Sequence, residues 1–144
     1  ITLKAMTNFH FETDFELENT VNFQKWIEKS CKSEGYVVEE LNYIFCEDDY
    51  LLKINQKYLE HDNYTDIITF DYTQGKLVSG DIYISIDRLL ENSTNFNVSF
   101  ENELLRVMAH GILHLMGYKD KGVADIKLMR NKEEEKIKLF HVEQ

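Results

Sequence analysis

His110 and His114 stand four residues apart in the run His110-Gly-Ile-Leu-His114-Leu-Met-Gly117-Tyr-Lys-Asp120. On a helix, both imidazoles leave the same face one turn apart, close enough to bind one cation. Gly117 can take the left-handed backbone that ends a helix and reverses the chain. Asp120, three residues on, then supplies an oxygen ligand from the side. Two imidazoles and a carboxylate suit zinc, and three protein ligands leave a fourth position open, as in catalytic rather than structural sites. Nickel, cobalt and manganese also accept this mixed set, so one divalent ion per chain is expected, with zinc the first choice. The chain has only five histidines, and two of them fall in this window.

The spacing H-x-x-x-H-x-x-G-x-x-D follows the layout of the metzincin zinc motif, with two changes. Asp120 replaces the third histidine, which lowers the net charge of the site and should make a bound water somewhat less acidic. Gly111 stands where the catalytic glutamate would be, so no side-chain base is assigned.

These ligands need a scaffold. Phe9 to Phe15 alternates apolar and polar residues and is predicted as a strand. Val21, Phe23, Trp26, Ile27 and Cys31 recur at helical spacing, with Gly35 as a stop. Leu41, Tyr43 and Phe45 predict a second strand. Asp48 or Asp49 can cap a helix with an inner stripe of Leu51, Ile54, Asn55 and Tyr58. Asp66–Tyr72 and Asp81–Ile86 are predicted strands joined by a long hairpin loop containing Gly75 and Gly80. A short helix is expected at Arg88–Asn92. Ser99 caps the histidine helix, whose first turn holds Glu101 and Glu103 where the dipole favours them. That helix should run to Met116. Asp125 opens a last helix with an inner stripe of Ile126, Met129, Ile137 and Phe140. Glu133 interrupts that stripe, and a bare carboxylate is costly to bury. It lies either at the stripe's edge or against a partner, such as the second ring nitrogen of a histidine ligand. The expected class is α+β: one small mixed β-sheet of about four strands with packed helices.

At 144 residues the chain can bury a real core, and 43% hydrophobic content fits a globular protein. No run approaches the ~18 apolar residues of a membrane span, and no signal-peptide pattern opens the chain. Cys31 and Cys46 lack metal-ligand spacing and are expected to be reduced core thiols in a cytoplasmic protein. A net charge of -10 excludes a broad basic surface for nucleic acid. Lys119 and Lys121, with Lys127, Arg130 and Lys132 behind them, could form only a local positive rim.

His110-Gly-Ile-Leu-His-Leu-Met-Gly-Tyr118 resembles the HGxLHLxGY signature of the YbeY family of metal-dependent, single-strand-specific endoribonucleases. Thr65-Asp66-Ile-Ile-Thr-Phe70 resembles that family's T-[DN]-V-L-S-F strand, and Gly80-Asp81-Ile82 its G-D-I strand. Asn55 and Tyr58 match an L-N-x-x-Y-R helix end, and Met129 with Glu133 a late M-x-x-x-E. The resemblance implies a single YbeY-like metallohydrolase domain over 1–144, acting in 16S rRNA 3′-end maturation and ribosome quality control. Its implied partners are RNA and the ribosome or ribosomal proteins, in the cytoplasm and away from membranes.

Two departures follow. Asp120 holds the position of the family's usual third histidine. Leu59 holds the position of an arginine that would clamp phosphate. The nearest substitutes in the sequence are His61, Lys119 and Lys121. Asn55 and Asp66 are further candidates for substrate contact, although strand-end turn chemistry is the preferred reading of the carboxylates Asp66 and Asp81. An assembly-factor reading with a structural or vestigial metal stands as the alternative, and a zinc peptidase behind it.

Overall fold

The computed structural model describes residues 5–61 and 64–142. The elements run β1 (Met6–Phe11), α1 (Thr20–Ser33), β2 (Val37–Cys46), α2 (Asp48–Leu59), β3 (Ile67–Asp71), β4 (Leu77–Ser85), α3 (Ile86–Asn95), α4 (Phe100–Leu115) and α5 (Val123–Val142). They form an α+β fold on one four-stranded mixed sheet of order β1-β2-β4-β3. β1–β2 and β2–β4 are parallel, whereas β3–β4 is antiparallel. Parallel neighbours require a crossover. α1 provides the first, and α2 with β3 occupies the second.

Several predicted boundaries move. β1 is Met6–Phe11 rather than Phe9–Phe15, because its partner β2 ends at Cys46, one residue past the Phe11↔Phe45 pair. Phe15 leaves the strand yet still packs on Phe45 and Phe100. Gly80 lies inside β4, paired with Asp71, rather than in the hairpin loop. Glu47 takes the N-cap position of α2, and Asp48 instead accepts from Ser85 Oγ at 2.6 Å and from Arg88 at 2.9–3.1 Å. Tyr58 is exposed rather than part of the inner stripe. Ser99 caps α4 as predicted, its hydroxyl accepting from the Asn102 amide at 3.0 Å.

The sheet has two different faces, because strand side chains alternate. On one face Tyr43, Phe45, Ile82 and Ile84 pack against Leu105, Met108 and Ile112 of α4 in the main core. On the other, α2 covers only a small cluster of Cys46, Leu51 and Ile68, flanked by Phe70 and Tyr83. Buried polar tips bind helix carbonyls. Tyr43 Oη donates to Met108 O at 2.9 Å, and Trp26 Nε1 donates to Lys136 O at 2.7 Å. Cys31 and Cys46 are buried and unpaired with each other. Burial pushes both thiols up to about 12, so neither offers a thiolate at neutral pH.

The inner face of α5 differs most from expectation. Ile126 is exposed, while Met129, Glu133, Lys136 and Phe140 are buried. Two charges therefore sit on a core stripe, and each has partners from another helix. Lys136 Nζ donates to Glu34 at 2.6 Å and to Ser33 Oγ at 2.9 Å. Glu34 also accepts from Tyr118 Oη at 2.5 Å and from Lys132 at 3.0 Å.

Burial alone would raise the Glu34 carboxyl, but the bonds from Lys136, Tyr118 and Lys132 outweigh it and hold the pKa at about 2. An unfolded glutamate titrates near ~4.3. This stabilisation is therefore complete above the unfolded value and is lost as pH falls through it toward about 2. The full contribution is roughly 3 kcal/mol. Urea unfolding at about pH 6 and about pH 3 should show more than half of that lost, and the Glu34→Gln variant should lack this part of the acid sensitivity. Equal acid sensitivity in the variant would contradict the assignment.

Candidate metal centre

α4 carries both histidines on one half-buried face, and Gly117 ends it at φ 94°. Tyr118 N bonds Leu113 O and Gly117 N bonds His114 O, so the backbone groups of the reversal are satisfied. The turn brings Asp120 back over the helix. His110 Nε2 and His114 Nε2 lie 2.9 Å apart, and Asp120 Oδ2 is 3.2 Å from each. A tetrahedral ion with ~2.1 Å bonds separates its ligands by about 3.4 Å, so this triangle matches one face of such a shell. Among the described residues, these three form the group able to hold a metal ion.

The outer nitrogens explain why the inner ones converge. His114 Nδ1 lies 2.9 Å from Tyr118 O, and a carbonyl can only accept, so Nδ1 carries the proton and Nε2 keeps its lone pair. His110 Nδ1 lies 2.6 Å from Glu133 Oε2, which fixes the same tautomer. Glu133 is 1% exposed and lies against a histidine partner, as one of its two sequence readings allowed. Its other oxygen is 3.4 Å from Arg106 Nη1 and 3.5 Å from Arg130 Nη1.

Two glycines define what the site can and cannot do. At Gly117 a Cβ would meet nothing within 4 Å, so Gly117→Ala costs only backbone strain, about 1 kcal/mol. Because that strain falls on the turn carrying Asp120, metal affinity should drop more than thermal stability does. Calorimetric metal titration beside a thermal melt checks this, and an unchanged affinity would refute it. Gly111 instead faces the sheet, where a Cβ would lie 2.9 Å from Ile82 Cδ1 and 3.1 Å from Ile67 Cδ1. Any longer side chain there would push α4 off β3 and β4. The position that holds the base in a metzincin is a packing contact here.

His110, His114 and Asp120 line a pocket of about 300 Å³ whose other walls are Thr65, Asp66, Ile67, Thr69 and Arg106. β3 supplies one wall because Ile67 and Thr69 alternate with Ile68 and Phe70, which face α2. Asp66 thus stands at the site, and its carboxyl is pushed above the usual range by burial, an effect Arg106 and His110 temper. Asp81 does not reach the pocket and accepts from Asn42 Nδ2 at 3.0 Å on the other sheet face.

Four sequence candidates stay outside. Asn55 is buried in α2, and His61 is exposed beyond its end. Lys119 and Lys121 flank Asp120 but are exposed and do not line the pocket. Lys132 binds Glu34 rather than forming a positive rim. Leu59, expected beside the metal, is exposed at the end of α2 and is not a pocket residue. The cation that does line it is Arg106, which the sequence analysis did not single out. Its signal was available, since Arg106, His110 and His114 share a helix face at intervals of four.

Two imidazoles and a carboxylate able to hold one metal ion, carried on a helix and its exit turn above a mixed sheet, are a donor set found in metal-dependent hydrolases. The chain belongs to the endoribonuclease YbeY family, which matches residues 7–141. An endoribonuclease YbeY of Flavobacterium johnsoniae is 58% identical over 139 residues, covering 96% of this chain and 100% of the relative. The Flavobacterium psychrophilum relative of the same description is 55% identical, covering 96% and 99%. A solution structure from Thermotoga maritima superposes with a TM-score of 0.68 at 30% identity, covering 96% of this chain and 90% of that one.

Proposed function

We propose that this chain is a zinc-dependent endoribonuclease specific for single strands, with His110, His114 and Asp120 as metal ligands and 1–144 as one metallohydrolase domain. The observation that carries the reading is the convergence of three ligand atoms at 2.9–3.2 Å on an open pocket, with both outer imidazole nitrogens already engaged. A divalent ion there supplies Lewis acidity and lowers the pKa of water.

The chain's own residues do the rest. Glu133 and the Tyr118 carbonyl orient the imidazoles and keep them in the ligating tautomer. Thr65, Asp66 and Thr69 offer acceptors along the wall where a ribose hydroxyl can bind. A pocket of about 300 Å³ has room for part of a splayed single strand, whose unstacked nucleotides can enter it, rather than for a duplex. The proposal extends to 16S rRNA 3′-end maturation and ribosome quality control in the cytoplasm, with RNA and the ribosome as partners, as the resemblance of the His110–Tyr118 motif implies. Among the described residues no helix is long and apolar enough to cross a membrane.

The test is incubation of metal-loaded protein with single-stranded RNA, double-stranded RNA and a peptide, each with and without chelator. Cleavage confined to the single strand and abolished by chelation is expected. No RNA cleavage above the chelated control would favour the assembly-factor reading, and peptide cleavage would favour a peptidase.

A further inference from the structure

Arg106 lies one helical turn before His110 on α4. Its side chain is 15% exposed, and it lines the metal pocket beside Asp66, His110 and Asp120. It also lines two neighbouring depressions. One holds His110, Asp120 and Arg130, and the larger one extends toward Phe96. Arg106 is the side chain shared by all three. A strand leaving the metal pocket through either depression passes it.

Its setting fixes the guanidinium in place. Nε donates to Glu103 Oε1 at 2.9 Å and Nη2 to Oε2 at 2.7 Å, a bidentate pair one turn back on the same helix. Nη1 reaches Glu133 at 3.4 Å, and Nη2 lies 3.8 Å from Asp66. A guanidinium has five N–H groups, so these three bonds leave two without a hydrogen-bond partner among the described residues. The carboxylates are also why the charge persists, since burial alone would lower the pKa and they raise it. A phosphodiester at the metal ligands needs a cation beyond the metal. Leu59 cannot supply it, and Lys119 and Lys121 lie outside the pocket.

We propose that Arg106 is the phosphate-binding residue of this site, donating to a nonbridging oxygen of the single-stranded substrate beside the metal ligands. The inference rests on the ribonuclease reading and adds a contact from α4 in place of one from the end of α2. Glu103 holds the fork, and Asp66 and Glu133 keep it beside His110.

The test uses zinc-loaded protein and a 2′-O-methyl single-stranded oligoribonucleotide, with affinity followed against salt. The double variant Glu103→Gln/Arg106→Gln leaves the net charge unchanged, so a change in salt dependence reports a lost phosphate contact rather than a change in overall field. Its slope of log affinity against log salt should fall by about 0.7, and its affinity by about 10-fold. Glu103→Gln alone keeps Arg106 and should keep the slope. A wild-type slope in the double variant, or the same loss in both variants, would overturn the proposal. Arg106→Lys guards against misfolding: it should hold its metal but cleave about 100-fold more slowly, because the ammonium lacks the planar fork. Wild-type cleavage by a metal-loaded Arg106→Lys protein would also overturn it. Wild-type protein that neither binds nor cleaves RNA would instead sink the ribonuclease reading.

Discussion

His114→Ala should lower divalent-metal affinity by more than ~100-fold while leaving the fold standing. Loss of an outer partner of a metal ligand typically costs ~10–100-fold, so loss of a ligand must exceed it. His114 Nε2 is 2.9 Å from one remaining ligand atom and 3.2 Å from the other, and no further residue of the described chain completes the group. The fold should tolerate the change because the side chain sits at the helix surface and alanine favours helix. A stability change within ~1 kcal/mol is expected. Elemental analysis after dialysis, together with chelator competition, reads the effect. Metal content equal to wild type would remove these residues from consideration as a centre. Because ligating imidazoles must be neutral, wild-type affinity should also decline in acid.

Glu133→Ala should do two kinds of damage at once. Its carboxylate is 1% exposed, yet it contacts His110 at 2.6 Å and Arg106 at 3.4 Å. Truncation frees the His110 ring to turn and to change tautomer, which should weaken metal binding by ~10–100-fold. It also leaves part of a buried guanidinium unpaired. Breaking a buried pair costs ~3–5 kcal/mol, and the surviving Glu103 contact places this case near the lower end, at about 3 kcal/mol. Glu133→Gln separates the two effects. Its amide oxygen still accepts from His110 Nδ1, so metal affinity should recover more than stability does. Isothermal titration beside a denaturant melt measures both. A Glu133→Ala protein with wild-type values of each would mean that the contact orients nothing.

What was legible in the sequence was legible for local reasons. The period of 3.6 residues places His110 and His114 on one face wherever the helix goes. A glycine three residues later can reverse the chain without any tertiary partner, and it does so at φ 94°. Glu133 stood out because a charge on an apolar stripe has few explanations. The Ser99 cap was readable for the same reason, since its hydroxyl acts on a residue within one turn of itself.

Other features depend on which segments meet, and no local period encodes that. Lys136, polar by composition, is 0% exposed because Glu34 reaches it from another helix. The parallel order β1-β2-β4 requires crossovers whose destinations periodicity does not state. Strand side chains alternate between faces, but only pairing decides which face is which. That choice put Thr69 in the pocket beside His110 and Phe70 on α2. Gly111 read as a missing base until the sheet showed that Ile82 and Ile67 occupy the space a side chain would need. The convergence of His110, His114 and Asp120 was thus determined by the sequence alone, because one helix and one turn suffice to gather them. Arg106 shares their helix face, but the carboxylates around it were decided only by tertiary structure, because Asp66 before β3 and Glu133 on α5 come from segments that local physics cannot bring to α4.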